Sequence, residues 1–329
     1  MHQRPYESIL DLIGRTPVLH LRKLSPAGSA RIYAKLEFHN PGGSIKDRPA
    51  LQMVLDAEAA GLLRPGATII EPTAGNTGIG LALVGVARGY HVIVVVPVGF
   101  SREKSMLMES LGARVVHTPA AARMTGAIKE ARRLAEAIPG AFVPQQFENM
   151  SNPEGHYRTT GIELWEQMEG RIDALTIGAG SGGTFTGVAR YVKERNPDAV
   201  AILVEPEGSI FSGGEPGCHR VEGIGNSFWP EVLDRSLVDE VMMISAEESY
   251  AMVRRLAREE GLLAGGSSGA NVAAAIAVAR RLPAAARVVT IIPDGMERYL
   301  SRGPEGDARA ASLNTTALDA AWPVRRPDL

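Results

Sequence analysis

Short runs such as ATIIEP, HVIVVVP, ARVVHTP, DALTIGAG, AVAILVEP and RVVTIIPD recur along the chain, and each is apolar at most of its positions. A strand buried on one face alternates apolar and polar residues, whereas these runs ask for burial on both faces. Between them lie stretches with helical spacing, among them TGIGLALVGVARG, SREKSMLMESLG, GTFTGVARYVKE and AEESYAMVRRLAREEG. Doubly buried strands alternating with helices predict an α/β fold of mostly parallel sheets covered by helices. Ser101 is expected to cap one helix, with Glu103 in its first turn and Gly112 closing it.

The units form two series, from about residue 35 to 118 and from about 173 to 294. AFVPQQFENMSNPEGHYRTTG joins them, and its Pro, Asn and Gly content predicts irregular structure there. A chain of 329 residues is also long for one small core. Two lobes are therefore expected, 40–150 and 1–39 with 151–302. From Gly303 onward few residues can build a core, which predicts a loose tail that Leu318 and Trp322 could dock.

Thirty-five Lys and Arg against 37 acids leave a formal net charge of -2, so no excess of charge draws the chain to nucleic acid or a membrane surface. The start of the chain lacks the apolar core of a signal peptide, and VIVVVPV is far too short to span a bilayer. Cys218 is the only cysteine, which excludes an intrachain disulfide and fits a reducing, cytoplasmic setting. None of the seven histidines has metal-ligand spacing, and no metal is expected. Cys218 and His219 are adjacent in a glycine-rich loop, an arrangement that seldom presents both groups to one substrate.

DALTIGAGSGGTFTGVARYVKE reads as strand, glycine loop and helix, a place where unpaired N–H groups meet an anion such as phosphate. Gly178, Gly180 and Gly183 also satisfy G-x-G-x-x-G, with Glu205 ending the next strand, as a dinucleotide-binding fold would show. That reading leaves the other glycine-rich loops, EPTAGNTG, EGIG and AGGSSGAN, and Lys46 in NPGGSIKDR without a use. Together the loops describe a cage around one compact phosphorylated ligand. A lysine beside such a cage can act as a covalent catalyst toward a carbonyl, provided its neutral amine is accessible.

NPGGSIKDR, EPTAGNTGIGLA, GAGSGGTFTG, VEPEGS, EGIG, GGSSGAN and PDGMERYLS, in this order over residues 5–302, resemble the pyridoxal-phosphate β-replacement enzymes, the cysteine synthases and cystathionine β-synthases. The resemblance implies a two-lobed, tryptophan-synthase-β-like fold (fold type II). It implies that Lys46 carries pyridoxal 5'-phosphate and later acts as the base at the substrate α-carbon. Gly180, Ser181, Gly182, Gly183 and Thr184 would hold the phosphate, with Ser181 replacing the usual threonine. Asn76 would reach the ring oxygen, and Ser267, or failing it Ser268, the pyridine nitrogen. Thr73, Ala74, Gly75, Asn76 and Thr77 would cradle the substrate carboxylate, with Gln146 reaching in, and Ala74 departs from a frequent serine. His156 and Tyr157 match an HY pair found in cystathionine-forming members, which places Tyr157 near the second substrate.

By the same resemblance the chain makes L-cysteine from O-acetylserine, or serine, and sulfide, with cystathionine from homocysteine as a second activity. A homodimer is implied as well. A dedicated cystathionine β-synthase and a serine/threonine dehydratase of the same fold are the alternatives. Nothing basic stands out in TAGNT to hold a phosphorylated leaving group, which favours acetyl over phosphate.

Overall fold

The computed structural model describes residues 5–73 and 75–302. Ala74 and the tail from Gly303 lie outside the described residues. Among the described residues, nine strands form two sheets: β1 (Val18–His20), β2 (Arg31–Leu36), β3 (Thr68–Pro72), β4 (His91–Pro97), β5 (Arg114–Thr118), β6 (Ala174–Gly178), β7 (Val200–Pro206), β8 (Glu240–Ile244) and β9 (Arg287–Ile292). The larger sheet has the order β1-β2-β9-β6-β7-β8 and the smaller the order β3-β4-β5. All pairs are parallel except β1 on β2. Phe142 extends the small sheet beside β3, exchanging backbone hydrogen bonds with Thr68 and Ile70.

Most of the apolar runs behave as their composition demands; β5 does not, because it is an edge strand and only Thr118 of its five residues is buried. In β4 and β7 only the first residue is exposed and the other six are buried, because helices cover both faces. The helices are α1 (Asp47–Ala59), α2 (Asn76–Arg88), α3 (Arg102–Ser110), α4 (Arg123–Ala137), α5 (Ser151–His156), α6 (Ile162–Gln167), α7 (Gly183–Lys193), α8 (Ala246–Arg255) and α9 (Gly266–Ala279). Ser101 caps α3 by accepting from the Lys104 N–H, and Gly112 follows its end at φ +82°.

The joining segment departs from expectation. Residues 151–167 are helical, α5 running through a π turn (Tyr157–Gly161) into α6. Pro153 sits in the first turn, where its missing N–H costs nothing. The glycines serve close packing rather than turns: a Cβ on Gly155 would stand 2.9 Å from that of Gln52, and one on Gly161 2.7 Å from that of Tyr191.

In a parallel sheet, ligands bind beyond the C-terminal strand ends. β3 runs into α2, β6 into α7, and β9 ends just before Asp294. Asn76 Nδ2 donates to Asp294 Oδ2 at 2.6 Å, which joins the mouth of the small sheet to that of the large one.

Candidate active site

Lys46 lies at the start of α1, and two hydrogen bonds fix the backbone leading into it. Ile45 N–H donates to the Pro293 carbonyl at 2.9 Å, and Lys46 N–H donates to Ser44 Oγ at 3.3 Å. Gly80 of α2 passes so close that a Cβ there would lie 2.9 Å from the Lys46 carbonyl oxygen. Burial holds the Lys46 amine below the ordinary lysine range, and Lys104 adds to that effect. Asp294 and Glu37 oppose it. An amine so placed reaches its neutral, nucleophilic form more readily than a solvated lysine.

The residues directly behind Lys46 anchor it. Arg48 forks onto two carboxylates, Nε and Nη2 to Glu37 at 2.7 and 2.8 Å, and Nη1 and Nη2 to Glu163 at 2.7 and 2.8 Å. Lys35, wholly buried, completes the network on Glu163 at 2.7 Å. Asp47 accepts the Gly42 N–H at 2.5 Å, and burial pushes its carboxyl up to about 7.

Three helices, α2, α7 and α9, begin at glycine-containing loops. α7 begins beyond Gly182, whose φ of +93° few L side chains adopt. A Cβ on Gly180 would meet the Gly223 carbonyl oxygen at 2.5 Å, so the β6–α7 loop and the EGIG loop touch. Asn226 Nδ2 donates to the Gly180 carbonyl at 2.8 Å and fixes that contact. α9 starts at Gly266, and the Ser267 hydroxyl would lie 3.8 Å from a Cβ on Gly223. Ser267 and Ser268 are both buried, and Ser268 Oγ has no partner among the described residues. Asn76 opens α2, with its Oδ1 likewise buried and without a partner there.

Thr73, Gly75 and Thr77 make hydrogen bonds on either side of the start of α2. Gly75 N–H donates to Thr73 Oγ1 at 3.2 Å, and Thr77 Oγ1 donates to Gln146 Oε1 at 2.7 Å. Gln145, at φ +57°, turns the chain here, because Glu71 accepts its N–H at 3.0 Å and that of Gln146 at 3.3 Å. Burial pushes the Glu71 carboxyl up to about 7.

Asn152 and His156, inside the segment expected to be irregular, support the β6–α7 loop from below. Asn152 Nδ2 donates to Ser181 Oγ at 3.0 Å and to the Gln146 carbonyl at 2.8 Å. His156 pairs with Thr184 Oγ1 at 3.2 Å through Nε2 and with Thr160 Oγ1 at 2.9 Å through Nδ1. Burial, with Lys46 and Arg48 adding to it, drives its pKa down to about 3, so the ring is neutral. The expectation for Tyr157 fails: its hydroxyl donates to Glu194 at 2.6 Å and its ring packs on Tyr191, on the outer side of α7. Helical periodicity, visible only once residues 151–167 are read as helix, turns His156 inward and Tyr157 outward.

Glu205 accepts the N–H groups of Phe211 and Ser212 at 2.8 and 2.9 Å, which occupies the carboxylate that a ribose would require. His219 bonds the Val221 carbonyl and Cys218 is exposed, so they form no nucleophile pair.

An amine of lowered proton affinity, glycine loops at the heads of three helices, and buried polar atoms awaiting partners fit a phosphorylated carbonyl cofactor. The pyridoxal-phosphate dependent enzyme family profile matches residues 9–294, and the chain belongs to that family. Within it, the chain is 46% identical over 294 residues, 89% of its length and 96% of the relative's, to the O-acetylserine dependent cystathionine beta-synthase of Bacillus subtilis. It is 47% identical over 303 residues, covering 92% and 97%, to a cysteine synthase of Staphylococcus aureus. Among solved structures, O-ureido-L-serine synthase superposes with a TM-score of 0.90 at 39% identity, over 96% of this chain and all of that one.

Proposed function

We propose that this chain catalyses β-replacement on O-acetylserine, with sulfide as acceptor to give L-cysteine and with homocysteine as a second acceptor to give cystathionine. The observation that carries the reading is the Lys46 amine, held below the usual lysine range among loops that offer backbone N–H groups to anions. Pyridoxal 5'-phosphate, when bound, supplies an electron sink for the substrate α-carbon. Lys46 Nζ would hold the cofactor covalently, and its amine, held below the usual lysine range, would serve as the base at the substrate α-carbon. Gly180, Ser181, Gly182, Gly183 and Thr184 hold the phosphate through the start of α7, with Asn152 and His156 orienting the two hydroxyls.

Asn76 would donate to the cofactor ring oxygen, and Ser267 would face the pyridine nitrogen. Its neutral hydroxyl leaves that ring a weaker sink than an acid would, which suits loss of a leaving group over racemisation. Residues 73–77 and Gln146 seat the substrate carboxylate. Lys104, the cation named beside Lys46, is engaged by Glu222 at 2.7 Å, which favours an uncharged acetyl leaving group over phosphate. The two sheets support a division into lobes of 40–150 and 1–39 with 151–302, and a cytoplasmic homodimer is the assembly we infer.

Steady-state assay of O-acetylserine, serine and O-phosphoserine against sulfide and homocysteine tests the reading. O-acetylserine with sulfide is expected to give the largest kcat/KM, with cystathionine measurable from homocysteine. Because a solved relative is named for O-ureido-L-serine synthesis, a non-thiol nucleophile belongs in the same assay. No product from O-acetylserine with either thiol would overturn the proposal.

A further inference from the structure

Asp294, just beyond β9, is buried in the cleft, where its charge favours the Lys46 ammonium, and it makes no salt bridge among the described residues. Its Oδ2 accepts from Asn76 Nδ2 and from the Tyr299 hydroxyl, both at 2.6 Å, while Oδ1 has no partner among the described residues. The backbone is shaped to keep it there. Gly265 N–H donates to the Asp294 carbonyl at 3.1 Å, and a Cβ on Gly265 would stand 2.2 Å from Oδ1. Ser44, two residues before Lys46, forms a backbone bridge to Asp294. Tyr299 is held in turn by the Lys104 ammonium, 4.1 Å from its ring centroid.

An asparagine amide has a donor end and an acceptor end of nearly the same shape, and only its neighbours decide which end faces a ligand. Asn76 Oδ1 has no partner among the described residues, so the bond to Asp294 is what fixes the orientation. We propose that Asp294, supported by Tyr299, is a positioning residue that locks the Asn76 amide with its nitrogen toward the cofactor site. One N–H of Nδ2 is committed to Asp294, leaving the other for the electron-rich ring oxygen of the cofactor. Released from Asp294, the amide can turn its oxygen toward that ring oxygen, and acceptor would then face acceptor. The inference rests on the assignment of Asn76 to the cofactor ring given above.

Apoprotein reconstituted with pyridoxal 5'-phosphate reads the effect through the dissociation constant and the position of the visible absorption band. Asp294→Ala is expected to weaken retention about tenfold, as loss of one charge-assisted hydrogen bond implies. It should displace the band in the same direction as Asn76→Ala. The double variant should match Asn76→Ala alone, because Asp294 acts through Asn76. Asp294→Asn, which keeps an acceptor oxygen, should fall between parent and Asp294→Ala, and it carries the test if Asp294→Ala does not fold. A band and affinity unchanged in Asp294→Ala, or in Asp294→Asn where that carries the test, while Asn76→Ala moves both, would overturn the inference and leave the assignment of Asn76 standing. No effect of Asn76→Ala would overturn both.

Discussion

Arg48 makes four short contacts to Glu37 and Glu163, and nothing in the sequence announces either partner, since they come from 11 and 115 residues away. Truncating one side of such a buried group strands a charge that water cannot reach. Arg48→Ala should therefore cost about 3–5 kcal/mol of stability, read as a large fall in thermal midpoint, with cofactor retention impaired because α1 carries Lys46. A variant as stable as the parent would show that the network is not needed. Ala74 makes a second residue-scale case. On the proposed assignment of residues 73–77 to the substrate, a serine at position 74 would add one hydroxyl, a change of about 1–2 kcal/mol in relative acceptor preference. Ala74→Ser is expected to lower the homocysteine-to-sulfide ratio of kcat/KM roughly tenfold, and an unchanged or higher ratio would remove Ala74 from acceptor choice. The placement of Lys46 at a helix start and of glycines before α7 and α9 was legible because those signals are local. Asp294, Glu71 and Asn152 were not, because each acts through a partner brought near only by the fold.

At the scale of elements, the strands buried on both faces were plain in the sequence, whereas β1, β2 and β8 were not. β1 and β8 are edge strands with mixed patterns. In β2, Lys35 breaks the apolar run, although its ammonium is wholly buried on Glu163, Gln167 and the Thr16 carbonyl. Proline and glycine signals misled in α5 because there they mark contact between helices. Gly187 of α7 meets that helix face to face: a Cβ would lie 2.3 Å from the Pro153 carbonyl oxygen and 2.7 Å from the His156 Cβ. Gly187→Ala must push α5 away, at a cost of about 1–3 kcal/mol. The displacement should also raise the cofactor dissociation constant, since His156 and Asn152 support the loop at residues 180–184. Equal stability and equal cofactor affinity in the variant would show that α5 does not position the loop.

Across the whole molecule, two buried groups give the stability a pH dependence of opposite sign. Burial, chiefly, lowers His156 to about 3, so the unfolded chain binds a proton below its ordinary 6.5 that the folded chain refuses. That contribution is lost as pH falls from about 6.5 toward 3. Glu71, raised to about 7 by burial, keeps its proton in the fold after the unfolded chain has released it near 4.5, so its contribution is lost as pH rises from about 4.5 to 7. Thermal melts should thus show the parent losing stability relative to His156→Asn between pH 7 and 4, and relative to Glu71→Gln between pH 5 and 8, by roughly a few kcal/mol each. Parallel curves for parent and variant would contradict either assignment. Lys46 is the proposed point of attachment for the cofactor. Borohydride reduction of the yellow holoprotein, followed by peptide mass spectrometry, should find the reduced cofactor on Lys46, and Lys46→Ala should lose the visible band, the adduct and turnover together. An adduct on another lysine, or near-parental turnover in Lys46→Ala, would contradict it.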